Sequence, residues 1–247
     1  MLSRRELLAL SAAAGLLRCA TRAEGEPDSA ATRGRFDARP GTPSGERSKG
    51  MQRLGTALLY VPDSYDAGRP APLIVALHGA LGGPDGILRV FVEDAGRTGA
   101  IVLAPRPVGR AWDLIERRLV GPDVEAIDEL LVQLFSRYAI DPRRVCAGGF
   151  SDGGSYALTL GLANGDFFTH VIAFSPGFAS PPAQAGAARY FISHGTRDQV
   201  LPVERCGRYI ATELKKAGLE VEYREFDGTH EVPPPIASDA VNWFVGA

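Results

Sequence analysis

The sequence VCAGGFSDGG, residues 145–154, carries the main signal for the architecture of this chain. Its first four residues are an apolar run typical of a buried β-strand, and a helix-like stretch begins at Gly154. Between the two lies Gly-x-Ser-x-Gly, the pattern of a sharp turn that lifts a serine hydroxyl above a sheet. Glycines beside Ser151 avoid the clashes that larger neighbours would cause in so tight a turn. The pattern predicts that Ser151 is a nucleophile.

Apolar runs and amphipathic stretches alternate along the rest of the chain. The apolar runs predict strands over Leu54–Val61, Leu73–Leu77, Ile101–Ala104, Val145–Gly148, Val171–Phe174, Tyr190–Ile192 and Val221–Phe226. Helical spacing predicts helices over Pro122–Tyr138, Gly154–Asn164, Val203–Ala217 and Ile236–Val245. We expect the first and last strands at the edges of the sheet. The alternation predicts an α/β fold, with one mostly parallel open sheet and helices on both faces.

A serine hydroxyl is a weak nucleophile until a base takes its proton and an acid orients that base. On a sheet of this kind the three groups follow in the chain order serine, acid, histidine. Asp198 lies in a loop after a predicted strand, where loops line the ligand crevice, and we predict it as the acid. His230 follows the last strand and is the predicted base. Asp227 competes as the acid, but Asp227-Gly228 is typical of a turn.

The other histidines have different expected roles. His78 is expected to hold a glycine-rich loop by hydrogen bonds, and His170, at the start of a strand, is expected at the surface. His194 comes before the acid, which is too early in the chain order for a base.

Reaction at an ester carbonyl also needs two N–H groups for the developing oxyanion. The predicted donors are the backbone N–H groups of Asp152, next to the nucleophile, and of Ala80, in the glycine-rich loop after Leu73–Leu77. This loop lacks the Lys-Ser/Thr pair and the spacing of phosphate-binding loops. Trp112 and Phe178 are predicted to line a substrate pocket, with ordinary packing as the alternative for both.

Residues 1–23 have the layout of an export signal, and the expected location of the protein is periplasmic or secreted. A short basic segment precedes the apolar run Leu7–Leu17, which is too short to cross a membrane as a helix. The doublet Arg4-Arg5 before that run resembles a twin-arginine signal, which would make the export machinery a partner. An ordinary secretion leader is the alternative.

Cys19 offers a further alternative, a lipid anchor, although Arg18 stands where small residues normally precede a lipid-modified cysteine. Residues 24–50 consist mainly of Gly, Pro, Ser, Thr and charged residues, and they predict a disordered linker. The prediction leaves residues 51–247 as a single α/β domain.

Composition limits the classes of partner. The chain has 247 residues, a net charge of −2 and 45% apolar residues, which suits one α/β core and gives no sign of nucleic-acid binding. It has no Cys-x-x-Cys and no metal-ligand cluster, so neither a cofactor nor a metal is expected. Whether Cys146 and Cys206 pair is left open, as is the oligomeric state.

Four motifs together resemble the phospholipase/carboxylesterase family of α/β-hydrolases, and they are Leu77-His78-Gly79, Gly149 to Gly154, His194 to Asp198 with Val200-Leu201-Pro202, and Gly228-Thr229-His230. Acyl-protein thioesterases and small bacterial carboxylesterases belong to this family, and polyhydroxyalkanoate depolymerase-like esterases are related to it. The resemblance runs from about Pro72 to the C-terminus and implies the α/β-hydrolase fold. The family commonly has Gln after the nucleophile, where this chain has Asp152.

The expected function is that of a serine hydrolase that cleaves carboxylic esters through an acyl-enzyme intermediate. Its substrate is expected to be a small-molecule ester or a lipid or polyester ester. Peptidase or thioesterase activity on the same three residues is an alternative, and so is a non-catalytic binding protein with this fold. Acyl and alcohol specificity depend on loops whose shape the sequence leaves open.

Overall fold

The structure is a computed structural model that describes residues 34–45, 47–117 and 120–246. The predictions for the export signal, including the arginine doublet and Cys19, lie outside the described residues.

One 8-stranded sheet forms the centre of the domain, and its strands are β1 (Gly50–Leu54), β2 (Ala57–Val61), β3 (Ala71–Leu77), β4 (Ile101–Ala104), β5 (Ile140–Phe150), β6 (His170–Phe174), β7 (Arg189–Gly195) and β8 (Val221–Phe226). The order across the sheet is β1-β2-β4-β3-β5-β6-β7-β8. β2 pairs antiparallel with β1 and β4, and all other neighbours are parallel. The predicted mostly parallel open sheet is confirmed, and β1 and β8 lie at its edges.

The helices of the described residues are α1 (Pro84–Thr98), α2 (Asp113–Glu116), α3 (Pro122–Arg137), α4 (Asp152–Ala163), α5 (Gly207–Lys216) and α6 (Pro234–Val245). α1, α3 and α6 begin with proline, which lacks the N–H that the first turn of a helix leaves unpaired.

Helices cover both faces of the sheet because buried side chains alternate along the central strands. In β3, Leu73, Val75 and Leu77 belong to a hydrophobic cluster that includes residues of α3, α4 and α5. Ile74 and Ala76 point to the other face, in a cluster with residues of α1 and α6. The carboxyl ends of the parallel strands therefore lie at one edge between two covered faces, which is where α/β sheets bind ligands.

The first predicted strand and the helix α1 show how the structure differs from the sequence prediction. The single strand predicted over Leu54–Val61 is a hairpin, because Gly55, with φ +56°, reverses the chain between β1 and β2. β1 alternates between partly buried and exposed residues, so its apolar signal is weak. The sequence prediction also omitted α1, although Ile87, Leu88 and Phe91 are buried at helical spacing.

The described residues before β1 pack against the domain, which differs from the disordered linker predicted over residues 24–50. Phe36 is 1% exposed and lies against Phe167 and Phe168, with ring centroids 5.5 and 5.3 Å away. Its backbone N–H donates to Asn164 Oδ1 at 3.0 Å. One aromatic anchor and the Asn164 amide order a stretch whose composition is that of a linker.

His170 is buried rather than at the surface as predicted. Its ring lies 5.1 Å from that of Trp243 and 5.2 Å from that of Phe244, measured between centroids. Burial, together with the nearby charge of Arg189, lowers the pKa of His170 to about 4. Within residues 34–45, 47–117 and 120–246, no helix is both long and apolar enough to cross a membrane.

Candidate active site

Ser151 lies at the tight turn between β5 and α4, in a strained backbone conformation. Its φ and ψ are 57° and −119°, which a residue with a side chain rarely adopts. A Cβ on Gly149 would lie 2.3 Å from the Gly153 carbonyl oxygen, and a Cβ on Gly153 would lie 2.0 Å from that of Leu77. Both positions therefore require glycine, and the turn holds the Ser151 hydroxyl at the carboxyl edge of the sheet.

The structure brings Ser151, His230 and Asp198 together in one hydrogen-bonded chain. His230 Nε2 lies 2.9 Å from Ser151 Oγ, and His230 Nδ1 lies 2.6 Å from Asp198 Oδ2. A carboxylate only accepts, so Nδ1 donates to Asp198 and Nε2 is left to accept from the serine hydroxyl. This arrangement can remove the proton from Ser151 Oγ and hold it on the imidazole.

Backbone hydrogen bonds join the loops that carry Asp198 and His230. The Thr196 N–H donates to the Phe226 carbonyl at 2.9 Å, and the Arg197 N–H donates to the Gly228 carbonyl at 2.9 Å. The Phe150 ring also lies against the imidazole of His230, with centroids 4.8 Å apart. These contacts fix where the imidazole stands between the acid and the serine.

The environment of Asp198 favours its ionised form. Burial alone would raise the pKa of this carboxyl, but hydrogen bonds from the Leu201 N–H and the His230 imidazole outweigh burial and hold the pKa below its ordinary value. The Val200 and Leu201 N–H groups donate to Oδ1 at 2.9 and 2.8 Å. The competing acid Asp227 is exposed and pairs with Arg197.

The predicted oxyanion donors lie on either side of the serine. Gly79 is so close that a Cβ there would lie 3.1 Å from Ser151 Cβ, which places the loop after β3 against Ser151. Gly82 N–H donates to the Gly79 carbonyl at 3.1 Å and closes a turn over Ala80 and Leu81. In the described part of the chain, the N–H groups of Ala80 and Asp152 donate to no other backbone carbonyl. Both groups remain available to a substrate oxygen.

The side chain of Asp152 also belongs to the site. Burial raises the pKa of this carboxyl, and the nearby charges of His230 and His78 act in the opposite direction.

Trp112, one of the two predicted pocket residues, holds the loop that follows β3 by a hydrogen bond. Its side chain is 1% exposed, and its indole N–H donates to the His78 carbonyl at 2.8 Å. The indole also stacks on Tyr156 with centroids 5.3 Å apart. His78 Nδ1 lies 2.8 Å from the Gly79 carbonyl oxygen, within the same loop. The pocket role of Trp112 stays a prediction.

Phe178, the other predicted pocket residue, is 40% exposed in the loop after β6. Two residues that the sequence prediction did not single out as functional hold this loop on α4. Ser155 Oγ accepts from the Gly177 N–H at 2.9 Å, and Thr159 Oγ1 accepts from the Ser180 N–H at 3.0 Å. Their spacing of one helical turn is the signal that could have identified them.

Comparison with known proteins identifies the family of this chain. The phospholipase/carboxylesterase profile matches residues 118–243. The chain belongs to the phospholipase/carboxylesterase family. It is a carboxylic ester hydrolase, and the resemblance inferred from its motifs is confirmed.

Several proteins to which this phospholipase/carboxylesterase-family chain is similar are esterases by name. A probable feruloyl esterase C of Aspergillus oryzae is 28% identical over 222 residues, which cover 74% of this chain and 80% of the relative. A thermostable esterase has 23% identity and a TM-score of 0.62, over 77% of this chain and 58% of that chain. A ferulic acid esterase of Anaeromyces mucronatus, solved with ferulic acid, has 16% identity and a TM-score of 0.56, over 87% and 94% of the two chains. The two structural likenesses show the α/β-hydrolase fold.

Four exposed apolar side chains of this family member lie in loops at the edge of the sheet that holds Ser151. They are Leu81, Val108, Phe178 and Val200, which are exposed by 108%, 63%, 40% and 66%. They lie in the loops that follow β3, β4, β6 and β7, and the carboxyl ends of these parallel strands meet at the edge that holds Ser151.

The described residues contain neither a metal site nor a disulfide. Among the described residues, no group of three or more His, Cys, Asp or Glu side chains is placed to hold a metal ion. Cys146 and Cys206 are buried free thiols, and burial raises the pKa of both.

Proposed function

We propose that this chain is a serine esterase that acts through an acyl-enzyme intermediate, with Ser151 as nucleophile, His230 as base and Asp198 as orienting acid. The observation that carries the proposal is the pair of contacts of one imidazole, 2.9 Å to Ser151 Oγ and 2.6 Å to Asp198 Oδ2. An activated serine requires this geometry.

In the proposed reaction, Ser151 Oγ attacks the ester carbonyl carbon while His230 Nε2 takes the hydroxyl proton. The N–H groups of Ala80 and Asp152 stabilise the negative oxygen of the tetrahedral intermediate. His230 then gives its proton to the departing alcohol oxygen, which leaves the acyl group on Ser151. Water attacks this acyl ester with His230 again as base, and the acid leaves as Ser151 regains its proton. Asp198 stays ionised and stabilises the imidazolium in both steps.

A fluorophosphonate probe tests the nucleophile. The wild-type protein should be labelled, and Ser151→Ala should be unlabelled, with kcat reduced by about 10⁴-fold or more. Ser136→Ala, at an exposed position of α3, is the matched control and should behave like the wild type. A wild-type protein that resists labelling, or an active Ser151→Ala variant, would refute the proposal.

The proposed substrates are esters of aromatic, hydroxycinnamic-type acids. The curated relative from Aspergillus oryzae is named a probable feruloyl esterase, which supports this class. An apolar rim that includes the aromatic ring of Phe178 at the catalytic edge suits a flat apolar acyl group.

A substrate panel tests this class. Methyl ferulate should be hydrolysed with a higher kcat/KM than p-nitrophenyl esters of long fatty acids, a phospholipid, an acyl thioester or a peptide. Phe178→Ala should raise the KM for methyl ferulate more than that for p-nitrophenyl acetate, because the small acetyl group needs no aromatic contact. A preference for the phospholipid or the thioester would contradict the proposed acyl class while leaving the serine mechanism intact.

We also propose that the enzyme is exported, on the basis of the Arg4-Arg5 doublet before Leu7–Leu17. Replacing both arginines with lysine should keep the activity in the cytoplasmic fraction, since twin-arginine signals depend on the arginine pair. Unchanged export of this variant would favour an ordinary secretion leader.

A further inference from the structure

His194 comes before Asp198 in the chain and is therefore not the predicted base, yet it lies against Asp198, the proposed acid. It is the sixth residue of β7, and its side chain is fully buried. Its Nε2 lies 2.7 Å from the Leu201 carbonyl oxygen and 3.2 Å from Asp198 Oδ2. A buried polar side chain at this position belongs to the surroundings of the acid rather than to the hydrophobic core.

The hydrogen-bond partners place the ring hydrogen of His194. The Leu201 carbonyl can only accept, so Nε2 must carry the hydrogen. Nδ1 is buried and has no hydrogen-bond partner among the described residues. On that side the ring packs on Gly207, where a Cβ would lie 2.5 Å from Nδ1. The Nε2 hydrogen therefore points to the Leu201 carbonyl, and the same nitrogen lies 3.2 Å from Asp198 Oδ2.

Leu201 connects His194 to Asp198 through its backbone. Its N–H donates to Asp198 Oδ1 at 2.8 Å, and its carbonyl accepts from His194. Val200 and Leu201 thus donate to Asp198 Oδ1, His230 Nδ1 donates to Oδ2, and His194 Nε2 lies 3.2 Å from Oδ2. A carboxylate held in this way cannot rotate without losing several partners at once.

The geometry points to His194 as a positioning residue for catalysis, one that fixes the Asp198 carboxylate in the orientation that His230 requires. The inference rests on the proposed function and adds a second histidine to its machinery. His194 touches no substrate in this role and acts only through Asp198. A loose acid would let the His230 imidazole swing away from Ser151, and a misplacement of about 1 Å can cost about 10²-fold in rate.

Two amide substitutions at one position separate this role from simple filling of space. The side-chain nitrogen of His194→Gln can occupy the position of Nε2 and donate to the Leu201 carbonyl. The amide of His194→Asn ends at the position of Nδ1, where the described residues offer no partner. We expect His194→Asn to lower kcat by about 10- to 100-fold with little change in KM, and His194→Gln to retain kcat within about threefold. Ser193→Ala, at the adjacent buried position of β7, should leave kcat unchanged.

Nuclear magnetic resonance gives a readout that a purely structural role would not move. The far-downfield signal of the proton between His230 and Asp198 should shift or broaden in His194→Asn and persist in His194→Gln. In ¹⁵N-histidine-labelled wild-type enzyme, His194 should be the Nε2–H tautomer. This wild-type measurement decides the matter should His194→Asn fail to fold.

A His194→Asn enzyme with wild-type kcat and an unchanged downfield signal would overturn the inference, as would an Nδ1–H tautomer in the wild type. Failure of the proposed function is distinguishable, because the wild-type enzyme itself would then resist the fluorophosphonate probe.

Discussion

Backbone strain in the described residues is concentrated at the edge of the sheet that holds Ser151. Three non-glycine residues, Leu81, Ser151 and Ser175, have positive φ values of 56°, 57° and 45°. Each follows the carboxyl end of a parallel strand, in the loops after β3, β5 and β6. Such conformations cost on the order of 1–3 kcal/mol each and persist only where the surroundings impose them. The strain therefore lies in the turns that hold the Ser151 hydroxyl and the loop after β3, which carries the proposed oxyanion donor Ala80.

The tight turn at Ser151, between β5 and α4, should tolerate no side chain at residue 153. In Gly153→Ala the new Cβ would lie 2.0 Å from the Leu77 carbonyl oxygen, so β3 and α4 would have to separate. We expect the free energy of unfolding to fall by about 2 kcal/mol or more, and fluorophosphonate labelling to slow strongly. Urea unfolding and labelling rates measure both effects.

Gly86→Ala is the matched control for this substitution, because no atom lies within 4 Å of the added Cβ. Alanine is also the better helix former, so this variant should be as stable as the wild type or more so. Equal stability of the two alanine variants would show that the turn at Ser151 accommodates a Cβ at residue 153 more easily than the 2.0 Å contact with the Leu77 carbonyl indicates.

A second glycine tests the environment of His194 from the opposite side. In Gly207→Ala the Cβ would lie 2.5 Å from His194 Nδ1 and 2.9 Å from His194 Cβ, which forces the ring toward Asp198. We expect kcat to fall by about tenfold while KM changes little. A Gly207→Ala enzyme that is folded and fully active would argue that the ring can move without disturbing the acid.

At the level of elements, the sequence predicts those whose apolar runs are continuous and misses those that depend on tertiary contacts. β3 is buried along its whole length, and its apolar run predicts the last five of its seven residues, Leu73–Leu77. β5 was recognised only over Val145–Gly148, because its first residues include Asp141, Pro142 and two arginines. These polar residues carry no strand signal, and they fall in a register shift between the pairs Ala71–Ile140 and Leu73–Val145 of β3 and β5.

The segment before β1 depends most on tertiary contacts. Asp128 Oδ1 accepts from the N–H groups of Asp37 and Ala38, and the Asn164 amide holds the backbone at residues 34 and 36. Asn164 and Asp128 belong to helical stretches far along the chain, so local composition alone could not reveal the docking.

Phe36→Ala tests how much this docked segment contributes to stability. Loss of a side chain packed on Phe167 and Phe168 should lower the free energy of unfolding by about 3 kcal/mol. kcat/KM should not change, because Asn164 lies at the far end of α4 from Ser151, roughly 18 Å away for a 12-residue helix. Val132→Ala, at an exposed site on α3, should change stability by no more than about 0.5 kcal/mol. A wild-type stability for Phe36→Ala would mean that the segment is detached in solution.

In the whole molecule, parallel topology explains why side chains distant in sequence meet. The carboxyl ends of β5, β7 and β8 lie at one edge of the sheet, so loops that contain Ser151, Asp198 and His230 are neighbours. The sequence alone therefore sufficed to predict that these three residues meet, from their order and their positions after the strands. The contacts of Ser155 and His194 could not, because each joins a side chain to a backbone group of a loop whose path only the folded structure defines.

The stability of the whole fold should depend on pH through His170. Its pKa is about 4 in the folded protein and 6.5 for an unperturbed histidine, so below pH 6.5 the unfolded chain takes up a proton that the folded protein does not. Stability from this group is complete above pH 6.5 and is lost as the pH falls toward 4, by up to about 3 kcal/mol. Urea unfolding at pH 7.5, 5.5 and 4.5 should show this loss in the wild type.

His170→Asn should be less stable at pH 7.5, because packing on Trp243 and Phe244 is reduced, but its stability should fall less on acidification. Phe244→Leu loosens the same cluster and keeps the imidazole, so it should retain the wild-type slope. Equal slopes for the wild type and His170→Asn would assign the acid sensitivity to other groups, such as His78, whose pKa burial also lowers.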